Sequence, residues 1–169
     1  MSRRNNRFWI LAAALFVANT LCQAADLVSE PRYADITTRG SVAIISQIGS
    51  NNQTRVDQGG TAQRLTQSQA GSRNEALISQ SGVRNVTSAQ QSGFGNGLDI
   101  NQSGAYNQAG VVQQGVNNSA SVVQSGSYNQ AFVGQYGQSN QAAVSQSGFG
   151  GTVSVTQYGN NMTANVTQR

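Results

Sequence analysis

The sequence predicts an all-β fold, a β-solenoid of about six 22-residue coils with two strands each, built from twelve 11-residue units. Three observations predict it. A glutamine recurs every eleven residues from 47 to 168 without insertion or deletion, and a fixed period of this kind marks stacked repeats. Within each unit, conserved-type and variable positions alternate with period 2, which is the signature of a strand with one face inward. A glycine stands two residues after each of the first eleven glutamines, where a tight arc needs a positive φ that other residues resist.

The chain divides into residues 1–24, 25–40 and 41–169. Residues 1–24 read as a secretory signal peptide: Arg3, Arg4 and Arg7 make a basic start, and Phe8 to Val17 is an apolar run too short to span a membrane. Cleavage is expected between Ala24 and Ala25. A lipoprotein reading of Cys22 is disfavoured, because Asn19-Thr20-Leu21 lacks the small residue such a site needs just before the cysteine. Cleavage would remove the one cysteine, so export would not serve disulfide stapling. It would also leave seven arginines against six carboxylates, so the formal charge falls from +4 to +1. The basic balance therefore belongs to the leader and argues against a nucleic-acid partner. Residues 25–40 hold the one proline and no repeat, and read as an N-terminal arm, either mobile, a secretion address, or a cap over the first coil.

In the repeat domain, positions 1 to 11 of each unit are counted as in Asn118-Ser-Ala-Ser-Val-Val-Gln124. Position 1 is asparagine in eight units: Asn52, Asn74, Asn85, Asn96, Asn107, Asn118, Asn129 and Asn140; the others carry Ser41, Gln63, Gly151 and Met162. Position 3 is small or apolar, and position 5 is Ile, Val or Ala everywhere except Gln67. Position 7 is always glutamine: Gln47, Gln58, Gln69, Gln80, Gln91, Gln102, Gln113, Gln124, Gln135, Gln146, Gln157 and Gln168. Even positions vary and carry most of the charges. Seven-residue strands, 41–47 through 162–168, are expected to alternate with four-residue arcs. The arc glycines are Gly49, Gly60, Gly71, Gly82, Gly93, Gly104, Gly115, Gly126, Gly137, Gly148 and Gly159.

A helical reading fails, although eleven residues is also the period of a right-handed coiled coil. A glycine in every unit costs about 1 kcal/mol against alanine, which sums to about 10 kcal/mol and rivals the stability of a whole domain. In the solenoid, by contrast, the inward Asn and Gln gain partners. Stacked in register, each amide can donate to the amide carbonyl one coil away, forming a structural ladder along the axis. Unpaired, the same groups would be costly to bury.

The composition offers no candidate catalytic, cofactor-binding or metal-ligating set. There is no histidine, and the few carboxylates fall mainly on outward or arc positions. Gly93-Phe-Gly95-Asn-Gly97 is only loosely like a phosphate loop and lies in a repeat arc. An ice-binding face would need a regular array of outward threonines, and these are sparse. The outward or arc aromatics Phe94, Tyr106, Tyr128, Phe132, Tyr136, Phe149 and Tyr158 can stack between coils or serve as surface contacts.

The pattern Gln-x-Gly-x-x-Asn-x-Ala-x-x-x-Gln, twice per 22 residues over about 41–169, resembles the curlin repeat of bacterial curli amyloid subunits. The resemblance implies a secreted, amyloid-forming subunit of cell-surface fibres (pilus or fimbrium type) in the biofilm and adhesion of a Gram-negative bacterium. Its implied partners are further copies of itself, a homologous curlin subunit, a secretion pore in the outer membrane and accessory chaperones. The family has a major fibre subunit and a minor nucleator. The nucleator is favoured here, because the arm has Gly40 as its one glycine where major subunits are Gly-rich, and because Asn165-Val-Thr-Gln-Arg169 is similar to the basic ending of nucleators. Regular, uncharged last coils speak for the major subunit. A soluble solenoid adhesin or ice-binding module is the alternative from another class.

Polymerisation also has a physical reading. The strand 162–168 is followed by Arg169, so its edge is expected to be uncovered, and an uncovered edge strand templates another chain. No residue from Ile100 to Gln168 is charged, whereas Arg55, Asp57, Arg64, Arg73, Glu75, Arg84 and Asp99 lie earlier. The earlier half is expected to resist self-association and the later half to seed it.

Overall fold

Odd positions carry Asn, small or aliphatic residues and Gln, and this pattern folds as parallel strands stacked by two-unit steps. The computed structural model describes residues 40–169; the expected signal peptide, the expected cleavage between Ala24 and Ala25, Cys22 and the arm up to Arg39 lie outside the described residues. The strands are β1 (Val42–Ser50), β2 (Gln53–Thr61), β3 (Arg64–Ser72), β4 (Glu75–Val83), β5 (Val86–Phe94), β6 (Gly97–Ala105), β7 (Gln108–Val116), β8 (Ser119–Ser127), β9 (Gln130–Gln138), β10 (Gln141–Phe149), β11 (Thr152–Asn160) and β12 (Thr163–Gln168). Odd-numbered strands form one six-stranded sheet and even-numbered strands the other. Every pairing is parallel with a 22-residue step, as in Gln47 opposite Gln69 and Gln102 opposite Gln124. The described residues are thus a β-solenoid of six coils.

The strands are longer than the seven residues expected, and the reversal is tighter. They run from position 2 through the glycine, usually for nine residues. The glycine bends the chain without leaving the ladder, because it pairs with the glycine one coil on, as Gly104 does with Gly126. Its φ of about +104° suits glycine alone. A methyl group there would also collide with the backbone carbonyl of Gly126. The same collision recurs from Gly49 to Gly137, while Gly148 and Gly159 have no glycine above them.

A second bend falls two residues later. Residues such as Asn51, Arg73, Arg84, Tyr106, Tyr128 and Asn161 adopt left-handed φ values of 54–60°. This conformation costs roughly 1–2 kcal/mol for a side-chain-bearing residue. The backbone offsets it: Tyr106 N–H donates to Val83 O at 2.9 Å and Tyr128 N–H to Ala105 O at 3.0 Å, each one coil back.

Positions 3 and 5 of both sheets meet in a thin core, with Leu65, Ile78, Ile100, Val122 and Ala131 fully buried. At about 0.8 kcal/mol per buried CH₂, these small side chains contribute modestly per coil. Ile45, inward by pattern, is 43% exposed, because β1 has a strand on one side only among the described residues.

Candidate assembly surface

The inward amides are the most regular feature of the interior. Gln47, Gln69, Gln91, Gln113, Gln135 and Gln157 form one column, and each Nε2 donates to the next Oε1 at 2.6–2.9 Å. Gln58, Gln80, Gln102, Gln124, Gln146 and Gln168 form the second, at 2.8–3.0 Å. From Gln69 to Gln157 these side chains are at most 2% exposed. The remaining amide hydrogen of most of them crosses to the opposite sheet, as from Gln113 to Gly97 O at 2.9 Å and from Gln135 to Ser119 O at 3.0 Å. Both donors and the acceptor are thereby used, which is what lets a glutamine sit in a dry core. The threonines at position 3 join in: Thr87 Oγ1 accepts from Gln80 and donates to Gln102 Oε1 at 2.8 Å.

The asparagines act differently from the expected amide-to-amide ladder. Each Oδ1 accepts the backbone N–H of the residue 22 positions on, at 3.0–3.2 Å. Each Nδ2 donates to the carbonyl of the arc glycine one coil on, at 2.7–3.2 Å. Direct Asn-to-Asn side-chain bonds join only Asn52, Asn74, Asn96 and Asn118. One CH₂ shorter than glutamine, asparagine keeps its amide beside the backbone and brackets two coils at the corner. Where position 1 is Gly151 or Met162, no side chain can do this.

All Gln bonds run in one sense, so the two ends of the stack are chemically unlike. Toward β1 and β2 the columns present acceptors, and Gln58 Oε1 is buried without a partner. Toward β11 and β12 they present donors: Gln157 Nε2 bonds Gln141 O but no further glutamine. Among the described residues β1, β2, β11 and β12 are each paired on one side only. The edges also expose apolar side chains, Ile44 at 53% and Ile48 at 69% on β1, and Tyr158 at 72% on β11.

Two residues that the sequence flagged weakly or not at all stand out. Gln67 is 1% exposed, and neither its Nε2 nor its Oε1 has a partner. Its position-5 identity was the one signal. Gln63, in place of an asparagine, keeps the bracket to Gly59 O and Gly82 O but leaves its Oε1 unpaired. The outward aromatics form short columns at the corners. Tyr106 stacks on Tyr128 and Tyr136 on Tyr158, with centroids 4.8 and 4.7 Å apart. Arg73 and Arg84 lie over Phe94 and Tyr106 at 5.3 and 5.5 Å. Among the described residues no three His, Cys, Asp or Glu side chains cluster as a metal site would require. The surface is one of hydrogen-bonding edges and corners.

No curated protein matches the chain. The family described as Curlin associated repeat matches four overlapping stretches, 71–104, 95–126, 107–137 and 115–148. Together they cover the coils where position 1 is asparagine without exception, Asn74 to Asn140. The units with Ser41, Gln63, Gly151 and Met162 lie outside. Residues 71–148 thus carry curlin-associated repeats, and the match supports the curlin family as the one to which the chain is related.

Proposed function

We propose that the chain is a secreted structural subunit of curli-type surface fibres, and that within such a fibre it is the nucleator that templates the major subunit. The carrying observation is the pair of unidirectional glutamine columns with acceptors at one end and donors at the other. A second copy set one 22-residue step beyond β11 and β12 brings its Gln47 over Gln157 and its Gln58 over Gln168. The buried, unpaired Oε1 of Gln58 then receives a donor. The same step lays Ile48 of the second copy on Tyr158, so two of the most exposed large apolar side chains cover each other. Edge pairing of this kind extends the sheet hydrogen bonds at about 1 kcal/mol net each. The soluble-solenoid alternative is not favoured by the curlin repeat match.

In this reading the chain leaves the cell through a dedicated outer-membrane pore with accessory chaperones, and acts at the outer cell surface with a homologous curlin subunit. Arg55, Asp57, Arg64, Arg73, Glu75, Arg84 and Asp99 slow self-association through β2 to β6, while the uncharged strands from β7 onward seed it. Asp at Val122 or Val144, which are 0% and 2% exposed, places a charge inside that seeding half and lengthens the lag of fibre growth. Unchanged kinetics would remove the division of labour.

The test of the reading is thioflavin T fluorescence of the purified chain over time, with and without preformed fibrils. Growth with a lag that seeds abolish is the expected result, and a very short unseeded lag marks the nucleator. A long unseeded lag, abolished by the chain's own seeds, marks the major subunit instead. A chain that stays folded, monomeric and dye-negative overturns the fibre reading.

A further inference from the structure

We propose that Tyr106 with Tyr128, and Tyr136 with Tyr158, are sites of oxidative cross-linking, where a dityrosine bond staples one coil to the next. All four tyrosines of residues 40–169 belong to these two pairs. In both pairs the partners are 22 residues apart and occupy matched positions on successive coils. The planes are nearly parallel, 3° apart in one pair and 10° in the other, with centroids 4.8 and 4.7 Å apart. Backbone pairing fixes this approach directly for the second pair, since Tyr136 is the ladder partner of Tyr158. In the first pair it is fixed by the left-handed corner that Tyr106 and Tyr128 share, with φ of 57° and 60°. The rings stack face to face, but their edges reach solvent: Tyr106, Tyr128 and Tyr158 are 39%, 49% and 72% exposed. An oxidant can therefore reach a phenolic O–H whose coupling partner is already in place, which is the advantage of an intramolecular over a bimolecular step.

The chemistry requires a one-electron oxidant, here hydrogen peroxide used by a haem peroxidase. Each phenol of a pair loses one electron and its hydroxyl proton to give a phenoxyl radical. The two radicals join through the ring carbons ortho to oxygen, and the displaced ring hydrogens return to the oxygens, restoring both phenols. The pair has lost two hydrogens overall, and one peroxide has become two waters. Residues 40–169 contain no cysteine, so a covalent tie between coils has to use a side chain other than a thiol. The pairs are not equivalent. The Arg84 guanidinium lies 5.5 Å from the Tyr106 ring centroid and its Nη1 donates to the hydroxyl at 2.7 Å. Its positive charge opposes removal of an electron from that ring, so Tyr136–Tyr158 couples first.

This inference concerns the fold of one chain and stands whether or not the chain forms fibres. The test mixes equal amounts of unlabelled and ¹⁵N-labelled chain, oxidises the mixture with peroxidase and peroxide, and maps the cross-linked peptides by mass spectrometry. The expected products are Tyr136–Tyr158 and Tyr106–Tyr128 peptides, two hydrogens lighter than their sum, with both halves carrying the same label. Tyr158→Phe abolishes the first product and leaves the second. Photo-oxidation by a ruthenium tris-bipyridyl complex, with persulfate as the electron acceptor, needs no folded enzyme. With this oxidant in both samples, the yield in concentrated urea is about tenfold or more lower than in the folded chain, because the effective concentration set by the fold is lost. The proposal is overturned by an absence of dityrosine in the folded chain, by links that mainly join different labels, or by an equal yield from the unfolded chain.

Discussion

Replacing Gln67 by methionine stabilises the protein. The side chain is 1% exposed, and both atoms of its amide lack partners. Its ladder neighbours at position 5 are Ile45 and Ala89, neither of which offers a polar group. A buried donor or acceptor left unpaired costs about 1–3 kcal/mol; the two atoms belong to one amide and are desolvated together, so their costs add only in part and the amide as a whole costs about 2–4 kcal/mol. Methionine keeps the unbranched shape and nearly the volume of glutamine, which limits the packing loss to about 1 kcal/mol. The net gain is then about 1–3 kcal/mol. With a urea slope of about 2 kcal/mol/M, the unfolding midpoint rises by roughly 0.5–1.5 M. The assay is equilibrium urea unfolding of the soluble chain followed by circular dichroism. A midpoint that stays in place or falls refutes the reasoning, and means that Gln67 is satisfied by a buried water.

Two further changes test the interior. Gln102→Glu accepts from Gln80 but, once ionised, cannot donate to Gln124 Oε1 or Val86 O, now 2.8 and 3.2 Å away. Burial raises the folded-state pKa of the new carboxyl above the ordinary glutamate value of about 4.3. The variant is therefore most stable below that value, and loses stability as pH rises through the folded pKa; urea midpoints across pH 4 to 8 check the sign, and a flat profile contradicts it. Gly104→Ala forces a methyl into the Gly126 carbonyl at a φ of +104°, costing about 3 kcal/mol or more. Far-ultraviolet circular dichroism should show the strand signal lost or its thermal midpoint sharply lowered, whereas a native-like midpoint would mean the corner can open.

Much of the architecture was legible because a stacked solenoid repeats its physical environment. A Gln every eleven residues and inward small side chains at positions 3 and 5 lead to two parallel sheets with a 22-residue step. What the columns did not carry was the bonding of each residue. A column of asparagines looks the same whether the amides bond each other or the backbone, and only the length of the side chain decides. The left-handed corner two residues after each glycine was missed because most of its occupants, such as Arg84 and Tyr106, are not glycine; the backbone bond to the previous coil holds them there. Asparagine and glycine at 51, 95, 117, 150 and 161 were a faint signal of that conformation. Ile45 is inward by pattern yet exposed, since a repeating pattern is silent about where stacking stops.

The central claim is that the amide columns join coils of the same chain, and solid-state NMR on fibres grown from a mixture of ¹³C-labelled and ¹⁵N-labelled chains tests it most directly. The account predicts that the side-chain amide of Gln102 contacts that of Gln124, at 2.8 Å between Nε2 and Oε1, in a uniformly labelled chain diluted in unlabelled chain. It also predicts that the mixed sample gives no contact between Gln102 of one chain and Gln102 of another. A strong contact between equivalent glutamines of different chains would mean flat, in-register stacking of whole molecules, and would contradict the solenoid as the unit of assembly.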